Sequence, residues 1–156
     1  IVRICTWAHF REKASNRSFY VFNAHFDHKS QESRERSALL IAERIAKRSA
    51  PNDPYILTGD FNAGESNPAI LSLTGKTTPI GPHASQAPLV DTFRAAHRDA
   101  KAVGTFGAWT GKTEGEKIDY IFAAPTTEVI EAKILHDNNE GQYPSDHFPV
   151  TATVRF

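Results

Sequence analysis

Residues 31–49 carry a strong amphipathic pattern set between β-rich runs. Ala38, Ile41, Ala42 and Ile45 form an apolar stripe, widened by Leu39 and Ala46. The other face holds Glu32, Arg34, Glu35, Arg36, Glu43, Arg44, Lys47 and Arg48, a mixed-sign surface of the kind that faces water. A helix with one apolar stripe must bury it, and the flanking strands offer the partner. Ser30 suits the N-cap, and Pro51-Asn52-Asp53-Pro54 stops the helix. This constrains the chain to an α/β (α+β) arrangement.

The runs at 2–9 and 18–26, joined by the turn-forming Ala14-Ser15-Asn16-Arg17, predict an antiparallel hairpin before the helix. A short strand beginning at Tyr55-Ile56-Leu57 follows it. Asn67-Pro68 can start a short helix through Leu73, and residues 75–88 read as loop. Leu89 to His97 reads as a short helix or turn, and 99–116 as a second loop. Three strands close the chain, at 117–124, 129–136 and 148–156. The expected fold is a mixed, mainly antiparallel sheet with helices on one face. Phe19, Val21, Ile56, Leu57, Ile118, Ile121, Ile134, Val150 and Val154 are the core candidates, with Trp7 and Tyr20 at least half-buried.

A length of 156 residues fits a single domain, and no stretch nears the roughly 20 apolar residues of a membrane-spanning helix. Formal net charge is zero, which disfavours binding by a broad basic field. The lone Cys5 allows no intrachain disulfide. The chain opens at Ile1 inside a strand pattern and contains no methionine, so a piece of a longer chain is expected. The sequence leaves the compartment open.

Polar clusters fall at predicted strand ends: Asn23/His25/Asp27/His28, Asp60/Asn62, Asp119, and Ser145/Asp146/His147. Gly59-Asp60-Phe61-Asn62 is a plain turn by composition. It also allows Asp60 and Asn62 to point one way while Phe61 enters the core. Asp119 could simply pair with Lys117. The repetition beside apolar runs speaks against independent turns, because a charge placed near burial needs a partner or a metal. Carboxylates, an amide and imidazoles together suit metal-assisted phosphoester hydrolysis. The carboxylates suit a hard Mg²⁺ (or Mn²⁺), while zinc-type His or Cys spacing is absent from the sequence.

Asn23-Ala24-His25, Gly59-Asp60-Phe61-Asn62, Ile118-Asp119-Tyr120 and Ser145-Asp146-His147-Phe148-Pro149-Val150 resemble, in order, the C-terminal half of the endonuclease/exonuclease/phosphatase (deoxyribonuclease I-like) family. The resemblance implies one layer of a four-layer sandwich, with the N-terminal half and its glutamate metal ligand absent from residues 1–156. It implies contact of His25 with the scissile phosphate and leaving group, and activation of water by Asp60. Asn62 would hold that water or a phosphate oxygen. Asp119 would orient His147, and His147 would bind a non-bridging oxygen. Asp146, with Asp60, would hold the metal.

Asn23, Phe106 and Trp109 are candidate substrate-side residues. The two aromatics could stack on a base or sugar, or cover the core. The expected function is a metal-dependent phosphodiesterase, phosphatase or nuclease acting on a small-molecule or nucleic acid phosphoester. This chain would supply half the site and need the missing half or a second copy. The alternative is a non-catalytic binding or assembly module.

Overall fold

The computed structural model describes residues 2–76 and 88–156. Most of the loop expected at 75–88 lies outside the described residues. Among the described residues, seven strands and three helices follow in the order β1 (Cys5–Arg11), β2 (Ser18–His25), α1 (Gln31–Ala46), β3 (Tyr55–Asp60), α2 (Pro68–Leu73), β4 (Val90–Asp91), α3 (Thr92–Ala96), β5 (Asp119–Ala123), β6 (Glu128–Ile134) and β7 (Val150–Arg155). The first five strands form one mixed sheet in the order β1-β2-β3-β5-β4. Its single parallel pair among the described residues is β2–β3, and α1 is the crossover that such a pair requires.

α1 begins where Ser30 Oγ accepts the Ser33 N–H at 3.1 Å, and buries Ala38, Ile41 and Ile45, three residues of the expected stripe. It stops at Ala46, a turn short of the expected end. The Tyr20 hydroxyl contacts Ser49 Oγ at 2.9 Å and accepts the Ala50 N–H at 3.1 Å, drawing the chain off the helix axis.

Two expectations need correction. The last two strands do not extend the main sheet; β6 and β7 pair as a separate two-stranded ladder. The buried face of the main sheet also has the opposite parity to most of the expected core. Tyr20, Phe22, Ala24, Tyr55, Leu57, Tyr120 and Phe122 are buried, whereas Phe19, Val21, Ile56 and Ile121 are only half-buried and Trp7 is exposed. The strands carry β-branched and aromatic residues at both parities, so composition does not show which face the helices cover. Alternation then places Asn23, His25, Thr58, Asp60, Asp119 and Ile121 together on the face opposite that core. Among the described residues, no helix is long and apolar enough to cross a membrane.

Candidate active site

Three adjacent strands align their site residues rung by rung. His25 of β2 pairs with Asp60 of β3, and Asp60 pairs with Asp119 of β5. Gly59 allows this close register. Its φ is +144°, and a Cβ there would lie 1.8 Å from the Ala24 carbonyl oxygen. Beyond Asp60 the chain turns sharply at Asn62, whose φ is +46°. Phe61 anchors the turn, fully buried and edge-on to Phe26, Tyr120 and Phe122 at centroid distances of 4.7, 5.5 and 5.3 Å.

Asn62 reaches Asp60 through that turn rather than through strand alternation, since β3 ends at Asp60. The Asn62 N–H donates to Asp60 Oδ1 at 2.8 Å. Its Nδ2 donates to the Phe26 carbonyl at 3.0 Å and to Asp60 Oδ2 at 3.3 Å. Asp60 is thus held from one side by its own turn. On the other side, its Oδ2 lies 3.3 Å from His25 Nε2 and 4.0 Å from His147 Nε2.

His147 comes from the loop before β7. Its Nδ1 contacts Asp119 Oδ2 at 2.8 Å, which leaves Nε2 facing Asp60. Ser145 Oγ accepts the His147 N–H at 3.1 Å. Burial alone would push the His147 pKa down. The hydrogen bond to Asp119 and the charges of Asp119, Asp60 and Asp146 outweigh it and hold the imidazole above its ordinary value. Burial pushes the Asp119 carboxyl up, against the opposing hydrogen bonds of His147 and Thr105.

Asp60, Asp119 and His147 each offer a ligand atom within 4.8 Å of the others. They line a cavity of about 340 Å³ with Thr58, Ser145 and Pro149. Asp146 is not in that triad. Its carboxylate lies 3.4 Å from Ser145 Oγ, and its carbonyl accepts the N–H groups of Gly107 and Ala108 at 2.8 and 3.0 Å. Asn23 is at the exposed rim, donating to Thr58 Oγ1 at 2.9 Å.

Phe106 and Trp109 are 47% and 59% exposed, and the Phe106 ring sits 5.0 Å from the His147 ring. Ala108 and Trp109 both have left-handed backbone, with φ of +47° and +65°. Asp27 is drawn into capping instead, its Oδ1 accepting the Lys29 and Ser30 N–H groups.

The model of the Endonuclease/Exonuclease/phosphatase family matches residues 2–147. The chain belongs to this family. Its enzymes are phosphoester hydrolases. A mannosyl-6-phosphatase of Bacteroides thetaiotaomicron is 31% identical, with a TM-score of 0.82 over 99% of this chain and 57% of its own. A family member from Bacteroides vulgatus is 32% identical, with a TM-score of 0.83 over 98% of this chain and 55% of its own. A protein of Acanthamoeba polyphaga mimivirus is 41% identical over 63 residues, 40% of this chain and 23% of its own length. This family member therefore spans little more than half the length of these two solved Bacteroides relatives.

Sequence reasoning missed two groups. Thr105 is fully buried behind Asp119, and nothing in Thr105-Phe106 marks a hydroxyl as buried. Lys117 is 1% exposed and pairs with Glu65 at 3.0 Å and with Asp91, rather than with its sequence neighbour Asp119. Glu65 in turn takes a two-pronged contact from Arg94, at 2.7 and 2.6 Å. Lys117 lies just before β5 and its partners lie far from it in sequence, so the choice was not visible.

Proposed function

We propose that this chain supplies half the active site of a metal-dependent phosphoester hydrolase working by in-line attack of water. The observation that carries the reading is Asp60 Oδ2 lying between the Nε2 atoms of His25 and His147. Asp60 accepts the proton of the attacking water and is held for that task by Asn62. His25 contacts the phosphoryl group on the leaving-group side. Protonated His147, its ring held in place by the Nδ1 contact to Asp119, donates from Nε2 to a non-bridging oxygen as charge builds there.

The donor set fits a hard divalent cation. Asp60 and Asp119 bring carboxylate oxygens within 4.8 Å of each other, and a hard ion of this type keeps few protein ligands and several waters; the His147 imidazole, protonated in this reading, is not among them. Asp60 and Asp146 would hold Mg²⁺ or Mn²⁺, which when bound neutralises phosphate charge. The remaining ligands would come from the family's other half, or from a second copy of the chain.

Asn23, Phe106 and Trp109 form the substrate side. The exposed rings offer stacking faces to a sugar or base. Zero net charge favours a small phosphoester over a long duplex. The 31%-identical mannosyl-6-phosphatase makes a sugar phosphomonoester the first natural probe.

The test is hydrolysis of bis-p-nitrophenyl phosphate, p-nitrophenyl phosphate and mannose 6-phosphate by the natural full-length protein. Mg²⁺, Mn²⁺ and chelator are compared, with Asp60→Asn and His147→Ala as controls. Turnover that both substitutions leave intact would overturn the assignment.

A further inference from the structure

Thr105 touches each of the segments that carry the Asp119–His147 pair. Its side chain is 0% exposed. Its Oγ1 accepts the N–H groups of Ile118 at 2.9 Å and Asp119 at 3.0 Å, at the start of β5. A hydroxyl oxygen has two lone pairs, and these two N–H groups use both. The Thr105 carbonyl accepts the Phe148 N–H at 2.7 Å, one residue after His147. Phe106, the next residue, forms a backbone bridge with His147.

Asp119 is therefore held from behind by the Thr105 side chain, and the His147 segment by the Thr105 main chain. We propose that Thr105 is a positioning residue that sets the Asp119 carboxylate against His147 Nδ1. The inference rests on the reading of that pair as catalytic. Thr105 touches no substrate and moves no proton. It fixes the angle at which Asp119 meets the imidazole, and so where Nε2 points. Valine keeps the shape and removes the hydroxyl. Serine keeps the hydroxyl and removes a methyl group.

The experiment uses Thr105→Val and Thr105→Ser in the natural full-length protein. One readout is steady-state hydrolysis of bis-p-nitrophenyl phosphate with Mg²⁺. The other needs no activity: the downfield proton resonance of His147 Nδ1–H bonded to Asp119, assigned through His147→Gln. Loss of an outer support of this kind lowers kcat by about 10–100-fold in the valine variant. KM stays unchanged, the resonance is lost, and serine restores both. If valine unfolds the chain by circular dichroism, Thr105→Cys replaces it, since a thiol fills the pocket but accepts hydrogen bonds weakly.

A valine variant with wild-type kcat and an intact resonance overturns the proposal. So does one whose only change is a lower melting temperature. If the wild-type protein cleaves none of the phosphoesters yet the resonance responds as described, the hydrolase reading falls and the positioning role stands.

Discussion

Glu65→Gln isolates the charge network of Glu65, Arg94, Lys117 and Asp91. Burial raises the Glu65 carboxyl, but the hydrogen bonds and charges of Arg94 and Lys117 overcome it and bring its pKa from 4.5 to about 2. A depression of that size corresponds to at most about 3.4 kcal/mol of stability at neutral pH. The Glu65 side chain is 30% exposed, so solvent screening brings the expected loss to about 1.5–2 kcal/mol. The sign follows from the depressed value. The contribution is fully present above the unfolded pKa near 4.5 and disappears as pH falls through about 2.

Glutamine resembles the protonated acid, so the two proteins converge in acid. Urea unfolding of both proteins, followed through Trp7 and Trp109 fluorescence at stepped pH, measures the gap. It should stand at about 1.5–2 kcal/mol at pH 7 and fall to less than half of that by about pH 3. A gap that does not change with pH, or none at pH 7, would refute the reasoning.

Gly59→Ala should cost about 3 kcal/mol or more, because the new Cβ meets the Ala24 carbonyl at a φ of +144°; a melting temperature matching the wild type would count against that register. His147, held above its ordinary 6.5, contributes its ion pair fully below 6.5 and loses it as pH rises through the elevated value. Hydrolysis should therefore fade on the alkaline side with a midpoint above 6.5, and Asp119→Asn should move that midpoint down, as a pH–rate profile will show. Phe106→Ala and Trp109→Ala should raise KM for sugar or nucleoside phosphates by about 5–30-fold, the equivalent of about 1–2 kcal/mol of lost stacking, while leaving p-nitrophenyl phosphate nearly unaffected.

Much of this molecule was legible in its sequence, for reasons that differ by element. α1 was readable because its stripe repeats at helical spacing and Ser30 marks its start, whereas its end at Ala46, ahead of Pro51, was not. The hairpin was readable from its two β-rich runs and the turn between them. The sheet's inner face was not, because Phe19 and Tyr20, or Val21 and Phe22, are equally apolar neighbours. Only the docking of α1 selects Tyr20 and Phe22. The separate pairing of β6 and β7 was also hidden, since strand propensity says nothing about which ladder a strand joins.

At the site, His25, Asp60, Asn62, Asp119 and His147 stood out as a repeated strand-end chemistry. Their partners did not. Thr105, 14 residues before Asp119, and the Glu65–Lys117–Asp91 contacts depend on long-range approach that a local pattern does not encode.

The rung-by-rung alignment of His25, Asp60 and Asp119 has a consequence for how such a site can diversify. Neighbouring strands sit about 4.8 Å apart whatever side chains they carry. The distances between these three groups are therefore quantised by the backbone ladder: a residue can be replaced, or moved by a whole rung, but not nudged by a fraction. On the hydrolase reading proposed above, new substrates would have to be sought in the apron of loops around the ladder, where Phe106 and Trp109 stand, while the groups underneath keep a spacing they did not have to invent.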